Sequence, residues 1–175
     1  INNIDSKKIE GLNDNFLNNK RFWLAASTHQ DEDHFCFKTH SLLKKKYPEI
    51  ITIIAPRHIN RVQKIKNLGE KLNFSVQTLK EGEKIINGKE IIIINAFGIL
   101  NEYFKFAKSV FIGKSMIKSL KHDGGQNPIN AAKLGCKIYH GPYVYNFYEI
   151  YKLLSKLNLS EEVKTEIHLA KKIYK

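Results

Sequence analysis

Short runs of apolar, mostly β-branched residues recur along the chain, and they constrain its fold more than any other feature. They occupy residues 21–26 (RFWLAA), 50–55 (IITIIA), 90–94 (EIIII) and 109–113 (SVFIG), with weaker runs at 74–79 and 136–140. Branched and aromatic side chains fit a pleated surface. A run with no polar alternation fits a strand covered on both faces. Between these runs lie stretches with helical spacing. Residues 31–46 open on Asp31, Glu32 and Asp33, the acidic first turn of a helix that Pro48 stops. Ile59, Val62, Ile65 and Leu68 share one face of a helix over 58–72. Further helices are expected over 100–107, 127–134, 146–157 and 160–173. Strands alternating with helices imply an α/β domain: a Rossmann-like, doubly wound parallel sheet with helices on both faces. Ligands of such sheets sit at the carboxyl ends of the strands. That directs attention to the loops at 27–33, 56–58, 95–98 and 124–127.

The 175 residues fit one domain. Residues 1–20, polar and rich in Asn, are expected to be a linker or interdomain segment with at most a helical turn, and residues 21–175 the folded domain. The chain opens on Ile1 and stops inside a helix-like stretch, so it is expected to be part of a longer protein. No apolar run approaches the roughly 20 residues of a membrane span. Cys36 and Cys136, 100 positions apart, exclude a disulfide scaffold and a Cys-based zinc ribbon. A soluble domain of a reducing compartment is the default expectation.

The net charge is +12, from 29 basic and 17 acidic side chains. The lysines are spread along the chain, and only Arg21, Arg57 and Arg61 are arginines. Such a chain attracts polyanions, yet no recognition motif accompanies the charge, so no nucleic-acid partner is expected. Because arginine is scarce, Arg57 and Arg61 carry more information than any lysine.

Pro56-Arg57-His58 stands at a strand end just before a helix, where backbone N–H groups and a forked guanidinium suit a phosphate, or where a helix-entry proline merely precedes an exposed arginine. Gly124-Gly125-Gln126-Asn127-Pro128 repeats that arrangement, with Asn127 as a cap and proline at the first helical position. Its two glycines allow close approach of backbone to a ligand, or form a mere tight turn. Neither segment is a dinucleotide fingerprint or a P-loop. His29, His34 and His40, at spacings of 5 and 6, do not match a helical zinc motif, so no metal and no cofactor are expected. His29 is placed to contact substrate, while His34 and His40 are expected at the surface or lining a groove. Tyr139, Tyr143, Tyr145, Tyr148 and Tyr151 suggest a stacking platform, or equally a packed interface. No nucleophilic triad and no carboxylate pair stands out.

In series the motifs resemble a known family. Ala26-Ser27-Thr28-His29, Ala55-Pro56-Arg57-His58, residues 95–100 before Tyr103, Phe111-Ile112-Gly113-Lys114-Ser115, Gly124-Gly125-Gln126-Asn127-Pro128 and Gly141-Pro142 with Asn146-Phe147 follow one another in the order of the 3-deoxy-D-manno-octulosonic acid (Kdo) transferases. The resemblance covers about residues 21–151 and is to the C-terminal, donor-binding half of these GT-B glycosyltransferases. It implies transfer of Kdo from CMP-Kdo, the donor, to lipid A precursor, the acceptor, in lipopolysaccharide biosynthesis at the cytoplasmic face of the bacterial inner membrane.

The resemblance also implies roles. Arg57 would hold the donor phosphate, with Pro56 and His58 shaping the turn. Phe97, Gly98 and Ile99 would line the cytidine pocket. Asn127, after Gly124, Gly125 and Gln126, would meet the nucleotide phosphate or the sugar carboxylate, and Ser27, Thr28 and His29 would line the cleft. Four positions depart from the family pattern: Gln126 stands for His, Asn130 and Ile99 for Glu, and Lys114 for Gly. Asn130 would take the place of the ribose-binding carboxylate and, being neutral, would bind less strongly. The family's general base, acceptor groove and membrane anchor belong to its N-terminal domain, so this chain alone is expected to be inactive. A donor half for a UDP- or GDP-sugar, or a basic module for nucleic acid or anionic lipid, are the alternatives.

Overall fold

The computed structural model describes residues 11–122 and 124–173. The described residues form a seven-stranded parallel sheet made of β1 (Phe22–Thr28), β2 (Ile51–Pro56), β3 (Val76–Leu79), β4 (Ile91–Ile94), β5 (Ser109–Ile112), β6 (Lys137–His140) and β7 (Ser160–Glu162). Its spatial order is β3-β4-β2-β1-β5-β6-β7, and every neighbouring pair is parallel. The chain builds outward from β1 to β2 and beyond, then crosses back to lay β5 on the other side of β1. The order therefore reverses between β1 and β5, the place where sheets of this kind hold ligands.

Alternation along β1 explains why its run is apolar throughout. Phe22, Leu24 and Ala26 enter one core; Trp23 and Ala25 enter the other. The first core is closed by α1 (Asp14–Asn19), α4 (Leu100–Phe104), α5 (Ile129–Lys133) and α6 (Tyr148–Lys156) through Leu17, Tyr103, Phe104, Ala131, Tyr151 and Leu154. The second is closed by α2 (Asp33–Lys46), α3 (Val62–Lys71) and α7 (Glu166–Lys172) through Phe37, Leu43, Ile65 and Leu169. Two covered faces are what uninterrupted isoleucine runs require.

Several elements differ from expectation. Within the segment expected to be a linker, residues 1–10 lie outside the described residues, but α1 packs onto the domain with Leu17 in its core. The helix expected over 160–173 begins as β7. Asn158, at φ +57, ends α6, and Leu159 delivers the chain to the sheet, its carbonyl accepting from the Ile138 N–H at 3.0 Å. Only after Thr165, whose hydroxyl accepts from His168 N at 3.1 Å, does α7 start. A short 3-10 turn, Ile59–Arg61, precedes α3, so Pro56-Arg57-His58 is not its first turn. Helix α5 spans only five residues and begins after Pro128.

His40, expected at the surface or lining a groove, is fully buried. It bridges Thr52 Oγ1 at 2.7 Å and Glu90 Oε1 at 2.9 Å. The tyrosines form no single platform: Tyr139 and Tyr151 are core residues, while Tyr145 and Tyr148 are exposed.

Candidate functional site

The carboxyl edge of the sheet has two parts of opposite character. The part at the β1–β5 reversal is closed on itself. Glu32, in a 3-10 turn after β1, is 0% exposed, and its carboxylate accepts four backbone N–H groups. Oε1 takes those of His29 at 2.9 Å and Lys114 at 2.7 Å; Oε2 takes those of Ser115 and Met116, both at 3.1 Å. Burial pushes the Glu32 carboxyl up from its ordinary range, and the four N–H groups pull against that rise. Gly113 has no room for a side chain, since a Cβ there would stand 2.5 Å from Ser27 O. Both Ser27 and Lys114 adopt left-handed backbone, at φ +58 and +56. At Ser27 the β1–β2 register slips by one residue, so Ala26 faces Ala55 and Thr28 faces Pro56. Arg61 ties the loop down from the α3 side, bonding Asp33 Oδ2 and, at 3.3 Å, Thr28 O.

The second part is open. Arg57 follows β2 and is exposed; its N–H donates to Thr28 O at 3.0 Å, but its guanidinium has no partner among the described residues. Beside it the rings of His29 and His58 meet edge to face, centroids 5.7 Å apart. His29 is half-buried, and burial lowers its pKa; the charges of Lys114, His58 and Arg61 act in the same direction, against a hydrogen bond to Ser27 O. After β4, Phe97 is 67% exposed and Gly98 takes φ +73, while Ile99 begins α4 and packs on the core. Asn130, in the first turn of α5, is exposed and makes no side-chain bond among the described residues. Asn127 is not the cap of α5, which is Pro128; it stands one residue earlier, and its Oδ1 accepts from Ile129 N at 3.0 Å.

The predicted residues thus share one edge of the sheet, with three corrections. Thr28 does not line a cleft; it is fully buried, and its hydroxyl has no partner among the described residues. Pro56 is the buried last residue of β2 rather than a group offered at the edge. Gly124 and Gly125 are needed by the chain itself: a Cβ on Gly124 would come 2.2 Å from Tyr143 O, and one on Gly125 would come 3.0 Å from Val144 Cα. Gln126 offers its carbonyl to the Tyr151 hydroxyl at 2.7 Å. Sequence reasoning missed Glu32, taking it only as part of the acidic first turn of a helix. The His29-x-x-Glu32 spacing of a capping box was the available signal.

Among the described residues, no three His, Cys, Asp or Glu side chains gather as a metal site would require. The larger concavities, of about 310 and 300 Å³, lie between α2 and α7 and at the amino ends of β1 and β5, away from this edge.

No family model matches the chain. Its sequence is 28% identical over 148 residues to the 3-deoxy-D-manno-octulosonic acid transferase of Haemophilus influenzae, covering 85% of this chain and 34% of that one. The enzyme of the same description from Aquifex aeolicus is 26% identical over 152 residues, 87% of this chain and 40% of the relative. The chain is similar to the Kdo transferases. It spans between a third and two fifths of the length of these two relatives. A bifunctional glycosyltransferase/methyltransferase of Fusobacterium nucleatum is 26% identical over 162 residues, 90% of this chain and 24% of the relative.

Among solved structures, the C-terminal CMP-Kdo binding domain of WaaA from Acinetobacter baumannii superposes with a TM-score of 0.78 at 20% identity, covering 89% of this chain and 79% of that one. A putative UDP-N-acetylglucosamine 2-epimerase from Listeria monocytogenes gives 0.57 at 10% identity, covering 95% and 38%. These two likenesses are of fold. The architecture is a Rossmann-like, doubly wound parallel sheet, the fold that the Kdo transferase resemblance implied.

Proposed function

We propose that this chain is the donor-binding domain of a Kdo transferase, with residues 21–175, preceded by α1, as its folded unit. In the whole protein it would hold CMP-Kdo while Kdo passes to a lipid A precursor at the inner membrane. The general base, acceptor groove and membrane attachment would belong to the remaining part of the protein. Among the described residues, no helix is long and apolar enough to cross a membrane.

The observation that carries this reading is the similarity to Kdo transferases over 85–87% of the chain. The open part of the carboxyl edge supports it chemically. Departure of CMP from an oxocarbenium-like sugar builds negative charge on the phosphate. A permanently charged guanidinium at Arg57, without a partner among the described residues, is the group to stabilise that charge. Exposed Phe97 offers a face for the base, and Asn130 a neutral partner for a ribose hydroxyl. Ser27 and His29 border the same edge. The cytidine specificity, the lipid acceptor and every residue role are part of the proposal.

Titration with CMP, UMP and GMP at low and high salt tests it. The proposal expects selective binding of CMP that persists at high salt. Equal and salt-sensitive binding of all three would leave only a basic α/β domain. Preference for UMP or GMP would instead favour a donor half serving another nucleotide sugar.

A further inference from the structure

The backbone after β5 forms an anion cradle that the chain fills itself. Lys114 in left-handed conformation turns three successive N–H groups, of residues 114–116, toward one point beside the β1–β5 reversal. Successive N–H groups converging in this way make a site for an anion. At a topological reversal that anion is ordinarily a ligand's phosphate. Here it is the carboxylate of Glu32, wholly buried, which also takes the His29 N–H.

The bonds continue from there toward the open part. Lys114 O accepts from Gly125 N at 2.6 Å, and Ser115 O accepts from Tyr143 N at 3.0 Å. Ser115 Oγ donates to Ile112 O at 2.6 Å and accepts from Gly141 N at 2.9 Å. Gly124 O accepts from Asn146 N at 3.1 Å. Gly125, Gln126 and Asn127 follow one another directly, so the backbone that Glu32 gathers fixes where the proposed ligand contacts begin.

We propose that Glu32 is a positioning residue for the donor site: by occupying the cradle it sets the path of the backbone that presents Gln126, Asn127 and Asn130, and never touches the ligand. This rests on the donor-binding reading for its ligand, but not for its geometry. A consequence is that the donor phosphate is excluded from the reversal point and is left to Arg57.

Each Glu32 oxygen accepts two N–H groups. The Glu32→Gln substitution keeps the size of the side chain but leaves one accepting oxygen, and the new amide hydrogens would face the other pair of donors. The test therefore compares Glu32→Gln, Glu32→Asp and, as a control, Glu90→Gln. Glu90 sits at the amino end of β4 and bonds His40, Lys44 and Ser75, so its loss also destabilises the fold, but at the opposite edge. Two quantities are read: the Kd for CMP, and the amide exchange rate of Gly125.

Glu32→Gln is expected to speed Gly125 exchange and to raise the Kd, each by tenfold or more. Glu32→Asp, which keeps both oxygens, is expected to fall between it and the parent. Glu90→Gln is expected to lower the melting temperature while leaving the Kd within twofold. Unchanged Gly125 exchange in Glu32→Gln overturns the proposal, as does an equal loss of affinity in Glu90→Gln. If Glu32→Gln does not fold, Glu32→Asp carries the test: faster exchange with weaker binding supports the proposal, and neither overturns it. Absence of CMP binding in the parent chain would sink the donor reading, and Gly125 exchange alone would then decide the role of Glu32.

Discussion

The closed and open parts of the carboxyl edge are built from similar materials and do opposite things with them. Around Glu32, most of the buried polar groups are answered from within: four N–H groups on one carboxylate, Arg61 on Asp33 Oδ2, with only Thr28 Oγ1 and Asp33 Oδ1 left over among the described residues of that part. Elsewhere along the edge, the chain leaves the Arg57 guanidinium, the exposed Phe97 ring and the side-chain amide of Asn130 without protein partners among the described residues. Polar groups buried without partners cost stability, so the first part pairs most of its own, Glu32 above all. Exposed groups carry no such cost and remain available to a ligand. The difference separates residues that hold the edge together from residues offered at it, a distinction that motif matching alone does not make.

Four perturbations would break or sharpen this contrast. The largest effect is expected from Gly113→Ala. Its Cβ would meet backbone atoms of Ser27 and Thr28 at 2.5 Å, and backbone cannot swing aside as a side-chain end can. A cost of about 3 kcal/mol or more, a drop of roughly 6–12 °C in melting temperature, should appear in thermal unfolding. A variant as stable as the parent would mean that the closed part is loose.

Arg57→Ala should behave in the opposite way. Stability should stay within about 0.5 kcal/mol, because the side chain is exposed. Affinity for CMP should fall by about 1.5–3 kcal/mol, or roughly 10- to 150-fold, the loss of a charged hydrogen-bond donor. Calorimetric titration beside a melting curve reads both quantities. A large loss of stability would move Arg57 into the closed part.

Phe97→Ala should cost affinity by about 1 kcal/mol if the ring stacks on the base. Unchanged binding would remove Phe97 from the site while leaving Arg57 in it.

The most gradual effect is with pH. Burial lowers the pKa of His29, His40 and His140 below the ordinary 6.5. In the unfolded chain each takes a proton as pH falls through that value, while the folded chain resists. Stability is therefore present in full above about pH 6.5 and declines below it. Melting temperatures measured from pH 7.5 down to 5 should fall, and a rise over that range would contradict the assignment. Glu90 behaves as a carboxylate counterpart at lower pH. Burial pushes it up, but Lys44, His40 and Ser75 outweigh that and hold it at about 2, so its contribution is lost as pH falls from about 4.5 toward 2.

Much of the fold was legible because the signals were local. Six of the strands coincide with apolar runs, and the two-sided burial that such runs imply is present. β7 was not legible, since Ser160–Glu162 is a polar three-residue edge that borrows its bonds from β6. His40 looked like a surface or groove-lining residue because its partner, Glu90, is 50 positions away. The resemblance pointed to residues of the open part motif by motif, and their roles toward a ligand remain part of the proposal. The closed part was not legible: the His29-x-x-Glu32 spacing was visible, but the three donors after β5 are 82 to 84 residues distant. Lys114 hints at them only in hindsight, standing at positive φ where the resembling family usually has glycine. Contacts that close a loop across the sheet leave no periodicity in either segment.

Mapping of CMP onto the chain by amide chemical shifts addresses the central claim most directly. The account predicts perturbations at Arg57, His58, residues 97–99 and residues 126–130, with the largest removed in Arg57→Ala. Perturbations confined to the groove between α2 and α7, or spread over the lysines without a focus, would contradict it.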